Sequence, residues 1–121
     1  MLSFIEYGKD EPEQIVFGKS NGEMGLLSIA KEEIREMPAH ESAIRDIMQF
    51  DSYHFLTASQ DWKIKLWAMS EPKEKYFASE RLRFDGHSGR VYSLCKFGPN
   101  VLAGGTDGTI KLWDISRESY D

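Results

Sequence analysis

The chain has little of what chemistry at a metal, a disulfide or a membrane would need. One cysteine, Cys95, occurs in 121 residues, so no internal disulfide can form, and a lone thiol suits a reducing compartment. The three histidines, His40, His54 and His87, are scattered and make no zinc-ligand spacing. No apolar run approaches the ~20 residues of a membrane-spanning helix. The opening stretch "MLSFIEYGKDEPEQ" lacks the basic segment and long apolar block of a secretory signal, so none is expected. Lys and Arg number 15 against 20 Asp and Glu, a net charge of −5. A whole-chain basic footprint for nucleic acid or anionic lipid is therefore missing, and an RNA-binding role would rest on a local patch. No cofactor signature appears. "GGTDG" is glycine-rich, but no Lys–Ser/Thr pair and no helical pattern follows it, which argues against a phosphate cradle.

Hydrophobic residues make up 40% of the chain and aromatics 12%, enough for a packed core in one domain of ordinary size. They recur in order. "HESAIRDIMQFDSYHFLTASQDWKIKLWAMS" lies over "HSGRVYSLCKFGPNVLAGGTDGTIKLWDIS". Ile44, Ile47 and Phe50 meet Val91, Leu94 and Phe97 at an offset of 47, as His40 meets His87. Past a short turn the offset becomes 46, where Asp61 meets Asp107 and Trp67 meets Trp113. A fixed period in this range marks a repeat architecture. A more degenerate pass opens the chain: Met1, Phe4 and Tyr7 match Ile44, Ile47 and Phe50, Asn21 falls at the Asp position and Leu27 at the Trp position.

Each pass predicts strands. "AIRDIMQF" and "RVYSLCKF" are rich in β-forming residues, and "HFLTAS" and "VLAGGT" are short runs beside turn signals. In "KIKLWAM" and "TIKLWDI" the apolar Ile64, Leu66, Ile110 and Leu112 alternate with Lys65 and Lys111, the period of a half-buried strand. "QDWK" and "TDGT" have hairpin length, and Asp–Gly is a strong hairpin signal. A fourth strand per unit is expected at "KYFASERLRF" and at "KEEIREM", where repeat context outweighs a local leaning toward helix.

"GHSGRVYSLCKF…LAGGTDGTIKLWD" resembles a WD repeat, with Gly86–His87 at the opening, Asp107 in a tight turn and Trp113–Asp114 at the close. The resemblance implies an all-β fold, a partial β-propeller of about three four-stranded antiparallel blades, the last lacking its outer strand. The blades would fall near 1–38, 39–85 and 86–117 of a single array, 1–121. It also implies a buried hydrogen-bond network of His, Ser or Thr, Asp and Trp. The second unit offers the full set, His40, Thr57, Asp61 and Trp67; the third offers His87, Asp107 and Trp113, with Ala103 where Thr57 would stand; the first offers Asn21 alone. These residues are expected to lock a loop to a turn.

A catalytic reading is set against this. His87, Ser93 and Asp107 include the residue types of a Ser–His–Asp site, but no G-x-S-x-G elbow surrounds any serine, so no enzyme is expected. Cys95, alternating with apolar Leu94 and Phe97 in a strand, is expected to be a buried, inert thiol. "KEEIREMPAHE" is expected to be a solvated edge. "WDISR" places Arg117 one residue too late for the Trp-Asp-x-Arg by which some WD proteins dock ubiquitin-ligase adaptors, so that role is not assigned.

The resemblance implies a non-catalytic, intracellular (cytoplasmic or nuclear) platform for a protein or peptide ligand. The ligand would meet the face carrying the His loop and the Asp turn. There Trp62 follows Asp61, where the third unit has Gly108. It is either a contact residue or packing over the next blade; Arg45, Lys63, Arg90, Glu41 and Ser88 are the neighbouring candidates. Three blades are fewer than the four to eight with which propellers close. The expectation is a fragment or isoform of a larger propeller protein. The alternatives are a homodimer of two half-propellers, a second chain that completes the ring, and a purely structural fragment without a partner site of its own.

Overall fold

The computed structural model describes residues 3–7 in backbone, and residues 14–29, 31–51, 53–70, 74–85 and 88–115. Three antiparallel sheets follow one another along the chain. Sheet 1 holds β1 (Ser3–Tyr7), β2 (Gln14–Gly18), β3 (Glu23–Ser28) and β4 (Glu33–Pro38), in that spatial order. Sheet 2 holds β5 (Ile44–Gln49), β6 (His54–Ser59), β7 (Ile64–Met69) and β8 (Ala78–Phe84). Sheet 3 holds β9 (Val91–Phe97), β10 (Asn100–Gly105) and β11 (Ile110–Asp114). The expected fourth strands are β4 and β8. "KEEIREM" is a strand because Met37, opposite Met24 in the ladder, is buried in the core that sheets 1 and 2 share. That burial outweighs its helical propensity.

Two cores separate the sheets. Val16, Met24 and Leu26 of sheet 1 pack with Ile44, Ile47, Phe55 and Trp67 of sheet 2. The opposite face of sheet 2, with Leu56, Ile64 and Leu66, packs on Val91, Val101 and Ala103 of sheet 3. The central strand β6 is buried along its whole length. Two polar staples cross the second gap. Asp46 Oδ2 accepts the backbone N–H of Leu94 at 2.7 Å, and Lys96 Nζ donates to the Phe50 carbonyl at 2.6 Å. Both groups come from inner strands, so they fix how β9 sits against β5.

The far face of sheet 3 has no sheet against it among the described residues. Ile110 and Leu112 are 77% and 55% exposed, whereas their counterparts Ile64 and Leu66 are both 0% exposed. Phe97 is 66% exposed against 8% for Phe50. The same alternation that buries one face of sheet 2 leaves this face of sheet 3 in water. It also corrects the expectation for Cys95, which is exposed. Its repeat counterpart Met48 packs against the core beneath sheet 3, and the face carrying Cys95 has no such cover.

Candidate functional site: the His40 relay and the Trp62 turn

One end of sheet 2 carries the β4–β5 loop and the β6–β7 turn, and a hydrogen-bonded relay joins them to the core. His40 Nδ1 lies 2.8 Å from Asp61 Oδ2, and its Nε2 lies 2.6 Å from Thr57 Oγ1. Trp67 Nε1 donates to the same Thr57 oxygen at 2.9 Å. The side chains of His40 and Asp61 are 0% and 5% exposed. The chemistry of the groups sets the proton positions. Indole N–H can only donate, so Thr57 Oγ accepts from Trp67 and turns its own hydrogen to His40 Nε2. The imidazole is then neutral, and its Nδ1–H donates to the Asp61 carboxylate. Both ring nitrogens of His40, the Thr57 hydroxyl and the Trp67 indole N–H thus have partners, which is what a buried polar network needs.

The ionisation of the pair follows. Burial lowers the pKa of His40 by more than the hydrogen bond and charge of Asp61 raise it. Burial works against the Asp61 carboxylate as well. The hydrogen bond from His40, with the backbone N–H groups of Lys63 and Glu41, outweighs it and holds the carboxyl at about 2. Those N–H groups approach Asp61 at 2.9 Å and 3.1 Å. Asp61 thus ties the His40 loop to the turn that holds Asp61 itself.

That turn is built three times. In each unit an Asn or Asp side chain accepts the N–H two residues on: Asn21 from Glu23 at 3.0 Å, Asp61 from Lys63 at 2.9 Å and Asp107 from Thr109 at 3.1 Å. The middle residue is left-handed in all three, with φ of 93° at Gly22, 76° at Trp62 and 76° at Gly108. The turn closes with a bond from that residue to the carbonyl three before it, as in Trp62 N–H to Ser59 at 3.3 Å. This is a type I turn followed by a glycine-favouring bulge position. Two units place glycine there and the second places tryptophan, which is 51% exposed. A bulky residue in this region costs about 1–2 kcal/mol.

In the third unit Asp107 Oδ2 accepts the Ser88 N–H at 3.1 Å, as Asp61 accepts that of Glu41. His87 lies outside the described residues. Trp113 Nε1 is buried and meets no hydrogen-bond partner among the described residues, because Ala103 has no hydroxyl to offer. Of the other candidates, Glu41, Ser88 and Arg90 are exposed in the two loops beside the turns, and Lys63 is half-buried. Arg45 is engaged within the protein: its guanidinium meets the side-chain amide of Gln60 and lies 5.6 Å from the Tyr92 ring centroid. Tyr92 and Asp46 were not singled out from sequence. Both act across the gap between sheets, which strand periodicity cannot show.

The architecture of stacked three- and four-stranded antiparallel sheets and the relay together define a repeat of the β-propeller class. The chain belongs to the WD domain, G-beta repeat family, whose model matches residues 31–68 and 78–114. Each match begins on the outer strand of one sheet and ends in the next. His40 therefore sits within a repeat while bridging two sheets. Beige protein homolog 1 of Schizosaccharomyces pombe is 26% identical over 110 residues, 88% of this chain and 4% of its own length. Mitochondrial division protein 1 of Pyricularia oryzae is 33% identical over 73% of this chain and 13% of its own length. Nuclear distribution protein PAC1 of Candida albicans is 37% identical over 50% of this chain and 15% of its own. The chain thus spans a small part of the relatives it matches. In fold it resembles a chain of the ctPRC2 complex with H3K27me3 and H3K27M (TM-score 0.75, 21% identity, 93% of this chain and 24% of that one). It also resembles the computationally designed Ika8 protein (TM-score 0.71, 24% identity, 93% of this chain and 32% of that one).

Two outcomes test the relay. Thr57→Val keeps the shape but strands Trp67 Nε1 and one His40 nitrogen, and should cost about 2 kcal/mol in denaturant unfolding. Ala103→Thr should do the reverse for Trp113, gaining about 1 kcal/mol. The relay also sets a pH dependence. Because the folded pKa of His40 is below its unfolded value, its contribution is full above pH ~6.5 and falls as pH drops through that value. Asp61 adds a second fall as pH drops from ~3.8 toward 2. The melting temperature should decline between pH 7 and pH 5, and His40→Gln should flatten that decline; an unchanged slope in the variant would contradict the assignment.

Proposed function

We propose that this chain is a non-catalytic protein-interaction scaffold whose contact is centred on Trp62. The observation that carries this reading is the placement of a large, half-exposed aromatic at a strained turn position that the other two units give to glycine. Strain held at an exposed site is more readily explained by what the side chain does outside the fold than by what it does for the fold. Tryptophan is also the residue most enriched at interface hot spots. Glu41, Ser88 and Arg90 border the contact with exposed polar groups, and Lys63 flanks the turn. Arg45, held by Gln60 and Tyr92, gives a rigid cationic shelf between sheets 2 and 3. The partner would be a protein or peptide, within an intracellular assembly. In a longer parent protein these units would be one part of the propeller, a reading in keeping with the small share of its relatives that the chain covers.

A second reading is favoured by the exposed Ile110 and Leu112: the units serve to complete a propeller, with a further blade or a second copy covering sheet 3. On that reading the mass of the isolated chain by light scattering rises with concentration. Ile110→Lys with Leu112→Lys should then restore the monomer without lowering the melting temperature. A wild-type monomer at every concentration would exclude self-assembly. For the scaffold reading, Trp62→Gly should raise stability by about 1 kcal/mol, since it relieves the left-handed backbone. The same change should weaken binding to any partner captured through this face by at least tenfold, about 1.4 kcal/mol. Partner affinity unchanged in Trp62→Gly would sink the reading.

A further inference from the structure

Sheets 1 and 2 each have a fourth strand, and sheet 3 has three among the described residues. β11 pairs with β10 along one edge, from Asn100 opposite Asp114 to Gly104 opposite Ile110. No described strand lies against its other edge, and the outward backbone groups of such an edge are a template for a further strand. The other two outer edges are blunted. β4 carries Glu33, Arg35 and Glu36 and closes on Pro38, and β8 carries Glu80, Arg81 and Arg83. In β11, Ile110 and Leu112 are exposed, and Trp113 is half-buried where its counterpart Trp67 is buried. Lys111 does not close this edge. Its counterpart Lys65 stands in β7, a strand paired on both sides, where Glu80 of β8 meets it at 2.9 Å. Lys111 has no carboxylate partner among the described residues.

The complete sheets specify what fits beyond β11. By the repeat, Ile64, Lys65, Leu66 and Trp67 correspond to Ile110, Lys111, Leu112 and Trp113. Opposite the first four, in an antiparallel ladder, stand Phe84, Arg83, Leu82 and Glu80 of β8. Sheet 1 repeats the apolar position: buried Met37 lies opposite Met24 as buried Phe84 lies opposite Ile64. We propose that the β11 edge binds an extended segment of a partner polypeptide, antiparallel to β11. Its apolar side chains lie opposite Ile110 and Leu112, and its carboxylate, opposite Trp113, reaches Lys111. Backbone hydrogen bonds supply the affinity, and the side chains at these positions select the partner. The carboxylate gives Lys111 the pair that Lys65 has within the chain. A lysine or arginine in its place meets like charge across the ladder, which is unfavourable. The edge shares no residue with the Trp62 contact, so either can fail alone.

The test is fluorescence anisotropy on the whole chain with a fluorescein-labelled peptide of the β8 sequence, Ala78–Phe84. It should bind saturably. Two further versions carry backbone N-methyl groups on alternate residues, in the two possible phases. One phase removes the N–H groups that face β11 and should abolish binding; the other faces solvent and should leave binding within about threefold. A version with lysine for its glutamate should bind about fivefold more weakly, although it is more cationic and the chain carries −5. Lys111→Gln should erase that preference, and Lys111→Glu, with an unchanged circular dichroism spectrum, should reverse it. A peptide that displaced β8 from sheet 2 would meet Lys65 instead and keep its preference in both variants. Four results would each overturn the proposal: no saturable binding, equal binding of the two methylated peptides, an unchanged preference in the Lys111 variants, or peptide binding lost as the chain dimerises with concentration, which gives the edge to a second copy.

Discussion

The chain of hydrogen bonds from Trp67 through Thr57 and His40 to Asp61 is the constraint on which the described structure turns. It begins on the buried face of sheet 2 that meets sheet 1 and ends in the β6–β7 turn. His40 enters from the loop that leaves sheet 1. One neutral imidazole thus ties the outer strand of one sheet, the core of the next and the turn above it. Cutting the chain at any link leaves a buried donor or acceptor without a partner, and that penalty exceeds the net worth of a single bond. The third unit shows the alternative in the same molecule, where Ala103 leaves Trp113 Nε1 without its hydroxyl.

The relay's end point is also where the local backbone is least comfortable. Asp61 accepts from Glu41, Lys63 and His40, and so over-determines a turn whose next residue must be left-handed. With glycine there, as in the first and third units, the geometry costs little. With Trp62 it needs the surrounding bonds to hold it. Stability contributed by the relay and strain stored in the turn therefore belong to one device, which presents an aromatic side chain on a rigid base.

Much of this could be read in the sequence because repeats report on themselves. Strand positions followed from alternation in "KIKLWAM" and "TIKLWDI", and β4 followed from repeat context against its own propensity. His40, Thr57, Asp61 and Trp67 carry no local signal as a group; spacing and family resemblance placed them together. What escaped was whatever depends on the neighbour across a gap. Asp46 reaching Leu94 and Arg45 lying against Tyr92 are contacts between sheets, which a one-dimensional period does not encode. Cys95 was misjudged for the same reason. Its strand pattern says it faces a sheet, but no sheet covers that face among the described residues.

The central claim is that the relay holds the strained Trp62 turn, and a double-mutant cycle between Thr57→Val and Trp62→Gly tests it most directly. Trp62 takes no part in the relay's hydrogen bonds, so simple packing predicts additive effects, within about 0.3–0.5 kcal/mol. If the relay holds the turn against its strain, breaking it costs less once glycine has removed the strain. The double variant should then be more stable than the sum of the single effects by about 0.5 kcal/mol or more. Strict additivity would contradict the account and reduce the relay and the turn to two unrelated features of one blade.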